Sequence, residues 1–233
     1  MLQAINEHKI LFLDIETVPQ VEKWEDVDPE LQDLFYKKTT YRREKEAIEV
    51  KELYESNAGI WAEFGKIVCI SVGFIIKDDK IRIKSYFGHN ELKLLEDFSA
   101  LLNEYYASPQ SILCAHNGKE FDFPYLARRM MIHQIQLPPS LQLYGKKPWE
   151  IPHLDTMELW RFGDYKHYTS LNLLAHIFGI PTPKDDIDGS MVSSVYYKEK
   201  DLERIKTYCE KDVFTLAQIF RKYRYQPLLQ LDE

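Results

Sequence analysis

Hydrophobic and polar positions change period several times along the 233 residues, and each change predicts an element. Lys9 to Ile15 is an apolar run bounded by Pro19, the pattern of a buried strand. Ile67 to Ile76 is a second run of β type. Asp78-Asp79 separates it from Ile81 to Phe87, where Ile81, Ile83 and Ser85 alternate with charged or bulky residues, so the two runs predict a hairpin. Leu92, Leu95, Phe98, Leu101 and Leu102 recur at three- and four-residue steps and predict an amphipathic helix. Ser111 to Ala115 then predicts a short buried strand, and Phe121 to Ile132 a helix after it.

From Leu137 to Pro152 the periodicity stops, and Pro138, Pro139, Gly145, Pro148 and Pro152 predict an extended loop. His153 to Asp155 reads as a short last strand. Ser170 to Phe178 has a helical pattern that ends at Gly179 with Pro181 beyond it. Asp201 to Tyr223, free of Gly and Pro, predicts a long C-terminal helix carrying Ile205, Tyr208, Cys209, Asp212, Val213 and Leu216. No internal repeat or low-complexity tract interrupts this order.

The segment Gln20 to Phe64 stands apart. Glu22 to Asp33 holds six acids and one Lys, and Lys37 to Lys51 holds six bases and three acids, a sign reversal within one predicted helical insertion. Two readings fit it: an exposed helical pair with solvated charge, or a strand-binding cleft lined by Lys37, Lys38, Arg42 and Arg43.

Composition narrows the classes. With 45% hydrophobic residues the chain can bury a core, which excludes disorder. No apolar run nears the roughly 18 residues of a membrane span. The N-terminal run Ile10 to Leu13 is broken at Asp14, so no signal peptide is expected and a cytoplasmic location follows. Cys69, Cys114 and Cys209 are odd in number and lack metal-type spacing, which predicts buried thiols rather than disulfides or a zinc motif. The net charge of −7 argues against coating duplex nucleic acid through a broad basic face, but not against one metal-loaded cleft whose ligands are themselves acids.

Three stretches carry candidate chemistry. In Phe12-Leu13-Asp14-Ile15-Glu16-Thr17, a strand puts Asp14 and Glu16 on one face, about 6.5–7 Å apart at Cα. Two such acids are costly unless paired with cations, and a metal is one partner; a strand that simply ends here, with both acids solvated, is the other reading. His116-Asn117-Gly118-Lys119-Glu120-Phe121-Asp122-Phe123-Pro124-Tyr125-Leu126 opens a helix, where Asp122 is favoured electrostatically or as a cap. Capping does not account for the Asn, Gly and aromatics around it. On the last helix Tyr208 and Asp212 are four apart, so a phenol and a carboxylate can meet.

Together these stretches resemble the DEDD superfamily of 3′–5′ exonucleases, most closely the proofreading exonuclease domain of family-B DNA polymerases and its stand-alone bacterial relatives. The resemblance rests on Asp14 and Glu16, on Asn117 with Phe121, Asp122, Tyr125 and Leu126, and on Tyr208 with Asp212, in that order. The histidine subtype needs His where Thr207 stands, so the chain looks like the tyrosine subtype. The likeness runs from Lys9 to about Tyr223 and implies one exonuclease domain over 1–233, with the charged helical insertion at about 20–64.

The resemblance implies a ribonuclease H-like α/β fold, a five-stranded mixed sheet flanked by helices. It implies two Mg²⁺ or Mn²⁺ ions held by Asp14, Glu16, Asp122 and Asp212, with Tyr208 orienting the attacking water as a neutral phenol. Ile15 and Thr17 would touch the terminal nucleotide, while Asn117, Phe121 and Tyr125 would shape a channel for a frayed strand. Core packing accounts equally well for Phe121 and Tyr125. The implied partners are a single-stranded nucleic-acid 3′ end, DNA ahead of RNA, and a larger DNA-repair or replication complex, with no membrane. An exoribonuclease of the same chemistry and a noncatalytic binding module are the rival readings. Asp155 is read as a helix cap rather than a fifth metal carboxylate. Asp185, Asp186 and Asp188 are read as a turn, and His116 and His153 as structural.

Overall fold

In a computed structural model that describes residues 2–77, 79–164, 166–181 and 187–232, the first apolar run is the strand β1 (Ile10–Pro19). Helices α1 (Pro29–Glu46) and α2 (Val50–Asn57) follow, then β2 (Gly65–Ile75), β3 (Lys80–Phe87), α3 (Glu91–Tyr105), β4 (Ile112–Ala115) and α4 (Asp122–Ile132). After the proline-rich loop come β5 (Leu154–Asp155), α5 (Thr156–Arg161), α6 (Leu171–Ile177) and α7 (Val192–Ser194), which runs into a π-helical turn at Val195–Glu199. The chain closes with α8 (Leu202–Tyr223) and β6 (Gln230–Leu231). Among the described residues no helix is long and apolar enough to cross a membrane.

The strands form one mixed sheet in the order β5-β4-β1-β2-β3-β6. β1, β2 and β3 are antiparallel neighbours, β4 and β5 lie parallel to β1, and β6 lies parallel to β3. The α/β, ribonuclease H-like expectation holds with one correction, since the sheet has six strands rather than five. β6 is only two exposed residues long, too short for any alternation to announce it. It is held by Gln218 of α8, whose side-chain amide exchanges two 2.8 Å hydrogen bonds with the backbone of the buried Leu229.

Alternation along β1 gives the sheet two dry faces. Leu11, Leu13 and Ile15 pack with residues of α3 and α4, while Ile10 and Phe12 pack under Val213, Leu216 and Phe220 of α8. Full burial of each such side chain contributes about 1.5–3 kcal/mol. The hydroxyl-capped start of α6 at Ser170 and its stop at Gly179 (φ +61°) match the stop and start signals in the sequence. α8 begins at Asp201, whose carboxylate accepts the Arg204 N–H at 3.0 Å.

α4 is fixed at its far end by a buried ion pair. Arg129 donates to Glu91 at 2.9 and 2.5 Å and to the Ala62 carbonyl at 2.8 Å, and Glu91 also accepts the Ile67 N–H. Burial works against the Glu91 carboxylate, but the hydrogen bonds from Arg129, the Ile67 amide and His133 and the Arg129 charge together outweigh it and leave the group below its ordinary range.

Segment 20–64 contains the helical pair and more core than its charges suggested. Phe35, Leu53, Tyr54 and Phe64 cluster with Trp24 and Trp61. The four basic residues are engaged within the segment: Lys37 with Asp33, Lys38 with Glu63 at 3.7 Å, Arg42 with Glu46, and Arg43 over the Tyr36 ring at 3.8 Å.

Candidate active site

Phe12, Asp14 and Glu16 share the face of β1 that meets α8, the first as core and the other two where the core ends. Asp14 lies opposite Ser71 and Glu16 opposite Cys69 on β2, and the register shifts between Glu16 and Thr17. Such a bulge bends the strand and re-aims its side chains. The buried stripe of α8 then sets Cys209 against β1, with its sulfur 3.4 Å from both the carbonyl oxygen and Oδ2 of Asp14. Carboxylate oxygens of Asp14 and Glu16 and the Cys209 sulfur all lie within 4.8 Å of one another. Asp212 stands one turn on from Tyr208 and is hydrogen-bonded to its phenol.

The third carboxylate arrives from the other side. β4 pairs with β1 from Ile10 to Phe12, and the chain then turns through His116–Phe121 into α4. That turn is tightly specified. Asn117 takes a left-handed φ of +63°, and a Cβ on Gly118 would come within 2.3 Å of the Ala115 Cβ. Asp155 accepts the backbone N–H groups of Asn117, Lys119, Met157 and Glu158 at 3.0–3.2 Å, capping α5 and clamping the turn together. Asp122 is thereby held at the start of α4, 3% exposed, with Oδ1 meeting no hydrogen-bond donor.

Burial pushes the Asp14 carboxyl far above its usual range, and Asp212 and Asp122 push it further. Glu16 is raised in the same way, by burial and then by Asp14 and Asp212. Asp122 is pushed up to about 7, chiefly by burial, with Asp155 adding and the amides of Asp122 and Ile15 opposing. Tyr208 is raised by burial and by Asp212, Glu16 and Asp14, which keeps it a neutral phenol. Carboxylates from β1, α4 and α8 are therefore brought together in a common field. All their donor atoms are hard oxygens, and one buried oxygen lacks a donor, so these residues fit a Mg²⁺- or Mn²⁺-type ion.

Two expected substrate contacts move into the core. Ile15 is 4% exposed on the α3/α4 face, and Tyr125 is 2% exposed with its hydroxyl donating to the Gly59 carbonyl at 2.7 Å. Both back the site from behind because alternation turns Ile15 away from Asp14, and the α4 stripe turns Tyr125 inward. Thr17, Asn117 and Phe121 are half-buried, and the Asn117 Oδ1 also lacks a partner. His116 donates from Nε2 to the Thr169 carbonyl and accepts from Thr156, so it is structural. His153 is also structural: it accepts the Leu113 N–H, donates to the Ser140 carbonyl, and is held by burial at about 4. Asp188 forms a turn with Ser190, while Asp185 and Asp186 lie outside the described residues.

Two site residues were not singled out from the sequence. Cys209 is three before Asp212, a same-face spacing that could have flagged it. Tyr168 is 67% exposed, its phenol is raised by burial and then by Asp122, Asp212 and Asp14, and its ring lies 6.5 Å from that of His116. Its signal was an aromatic directly after two basic-type residues in Lys166-His167-Tyr168.

Residues 60–227 match the family described as predicted 3′-5′ exonucleases related to the exonuclease domain of PolB. The chain belongs to this family. Asp122, Tyr208 and Asp212 fall inside the matched segment, while Asp14 and Glu16 precede it and join the site through the fold. No curated protein matches the sequence. Among solved structures, the chain is similar to the family B DNA polymerase from the hyperthermophilic archaeon Pyrobaculum calidifontis, with 16% identity and a TM-score of 0.50. That likeness, which is one of fold, covers 89% of this chain and 24% of the polymerase. Exonuclease domains of this type are metal-dependent, in keeping with the acidic cluster.

Proposed function

We propose that this family member hydrolyses phosphodiester bonds of single-stranded DNA or frayed 3′ ends to nucleoside 5′-monophosphates. In this reading two divalent ions, Mg²⁺ or Mn²⁺, are held by Asp14, Glu16, Asp122 and Asp212. The observation that carries the reading is the convergence of carboxylates from β1, α4 and α8, with Asp14, Glu16 and Asp122 raised chiefly by burial, Asp14 and Glu16 raised further by neighbouring acids including Asp212, and one Asp122 oxygen unpartnered. Such ions, when bound, neutralise charge at the phosphate and acidify water toward hydroxide. The same reading takes 1–233 as one exonuclease domain with 20–64 as a helical insertion.

The chain's own residues do the rest. Tyr208 stays protonated, so it orients the attacking water by hydrogen bonding and does not serve as the base. Thr17, Asn117 and Phe121 face the terminal nucleotide, with the free Asn117 Oδ1 available to a donor. Tyr168 offers a ring on which a base can stack irrespective of sequence. Water adds to phosphorus as the bond to the 3′ oxygen breaks, and that oxygen leaves with a proton.

The test incubates 5′-labelled single-stranded DNA or RNA with the protein and Mg²⁺ or Mn²⁺, beside EDTA and Asp14→Ala. A shortening ladder on DNA that disappears in both controls is expected. A ladder surviving both overturns the metal assignment; no ladder with either polymer favours a noncatalytic binding module.

A further inference from the structure

The Cys209 thiol is a soft donor beside the proposed hard-oxygen centre, with the Cys69 thiol of β2 hydrogen-bonded to it, and nothing in nuclease chemistry calls for it. It lies on the buried stripe of α8 between Ile205 and Val213, so packing alone explains its depth. Packing does not explain its direction. The sulfur is 3.4 Å from Asp14 Oδ2, and both lie within 4.8 Å of a Glu16 carboxylate oxygen.

Ligand atoms on a single tetrahedral zinc lie about 3.3–3.8 Å apart, given bond lengths of about 2.0 Å to oxygen and 2.3 Å to sulfur. The Cys209–Asp14 spacing already falls in that range, and a Glu16 carboxylate oxygen lies within 4.8 Å of both. Asp122, buried and with Oδ1 unpartnered, acts electrostatically on both Asp14 and Glu16, a further sign that a cation fits the cluster.

We propose that Asp14, Glu16 and Cys209 form a mixed oxygen–sulfur site that captures thiophilic divalent ions, Zn²⁺ above all. On binding, the Cys209 S–H bond breaks, its proton passes to solvent, and a sulfur–metal bond forms with no change of oxidation state. Hard ions leave the thiol protonated and use the carboxylates alone, because Mg²⁺ takes oxygen ligands and keeps its waters. The same carboxylates thus answer to two classes of ion, and a thiophilic ion occupies the place of the working one. This inference rests on the proposed active site for its consequence, but not for its geometry.

Cobalt(II) titrated into the full chain reports the sulfur directly. A sulfur-to-cobalt charge-transfer absorption is expected in the wild type, in Cys69→Ser and in Cys114→Ser, and not in Cys209→Ser. Zinc competition should show affinity weakened by about tenfold or more in Cys209→Ser, against little change for Mn²⁺. Cadmium NMR on the unaltered chain gives a second readout that needs no variant to fold: a thiolate-shifted resonance is expected. An all-oxygen cadmium resonance, or equal cobalt absorption in Cys209→Ser, overturns the proposal. Hydrolysis with Mg²⁺ and no cobalt–sulfur band sinks only the thiolate site, whereas a band without hydrolysis of any nucleic acid keeps it and sinks the nuclease reading.

Discussion

Replacing Asp122 by Asn should make the metal-free protein more stable, because the fold holds this carboxyl in an unfavourable state. Its folded value is raised from 3.8 to about 7, so the stabilising preference for the protonated form is complete below about pH 3.8 and is lost as pH rises through about 7. That rise corresponds to roughly 4 kcal/mol, at about 1.4 kcal/mol per tenfold change in proton affinity. Asp14 and Glu16 are raised as well and act in the same sense. For a chain of this size each kcal/mol moves the melting temperature by about 2–4 °C, so Asp122 alone is expected to cost roughly 8–16 °C. Circular-dichroism melts in EDTA at about pH 5 and pH 8, repeated with Mn²⁺, read out the part lost above pH 5, roughly 3 kcal/mol or about 6–12 °C. The wild type should melt lower at the higher pH and recover with Mn²⁺. Asp122→Asn should melt higher than wild type at pH 8 in EDTA and gain less from the metal. A variant melting at or below wild type under those conditions refutes the electrostatic reasoning.

Tyr208→Phe should slow strand shortening by about tenfold to a hundredfold while leaving the Mn²⁺-dependent melting shift intact, since only the orienting hydroxyl is lost; unchanged turnover removes the phenol from the mechanism. Asp155→Ala strands four backbone N–H groups and should destabilise by about 2–4 kcal/mol in urea unfolding, where a loss under about 0.5 kcal/mol contradicts its role as clamp. Arg129→Met leaves Glu91 buried without its guanidinium, with only His133 and the Ile67 amide beside it, and should cost about 3–5 kcal/mol, with most of that recovered in the double variant Arg129→Met/Glu91→Leu. Failure of the double variant to recover assigns the loss to packing rather than charge.

Elements whose pattern is local were legible in the sequence, and those made by distant partners were not. The hairpin β2–β3 and helices α3, α4 and α8 follow from periods of two and 3.6 that any single turn of chain displays. β1 runs four residues past Ile15 because the cost of carrying Asp14 and Glu16 inside a strand is set by what α8 and α4 bring to them. β6 has no signal of its own, being recruited by Gln218. At the site, Asp14, Glu16, Asp122, Tyr208 and Asp212 are candidates through the resemblance of their motifs and order to the exonucleases, since spacing alone leaves a bland reading of each. Ile15 and Tyr125 could not be assigned to core or channel that way, since spacing gives no depth. The Asn, Gly and aromatics around Asp122 prove to be largely about making a tight turn, with Asp155 satisfying its amides across 36–38 residues of sequence.

β6 pairs with β3 only at Lys80 and Ile81. The rest of that strand, Arg82 to Phe87, forms the outer margin of the sheet, where backbone groups can recruit a strand from another molecule. Its outward residues are cationic: Arg82 is tethered to Asp232 at 2.6 Å, and the Lys84 ammonium lies 4.6 Å from the centre of the Tyr86 ring. Identical margins would set Lys84, and the Arg82 paired with Asp232, against their own copies, a charge that disfavours edge-to-edge pairing where the short strand β6 does not already cover it.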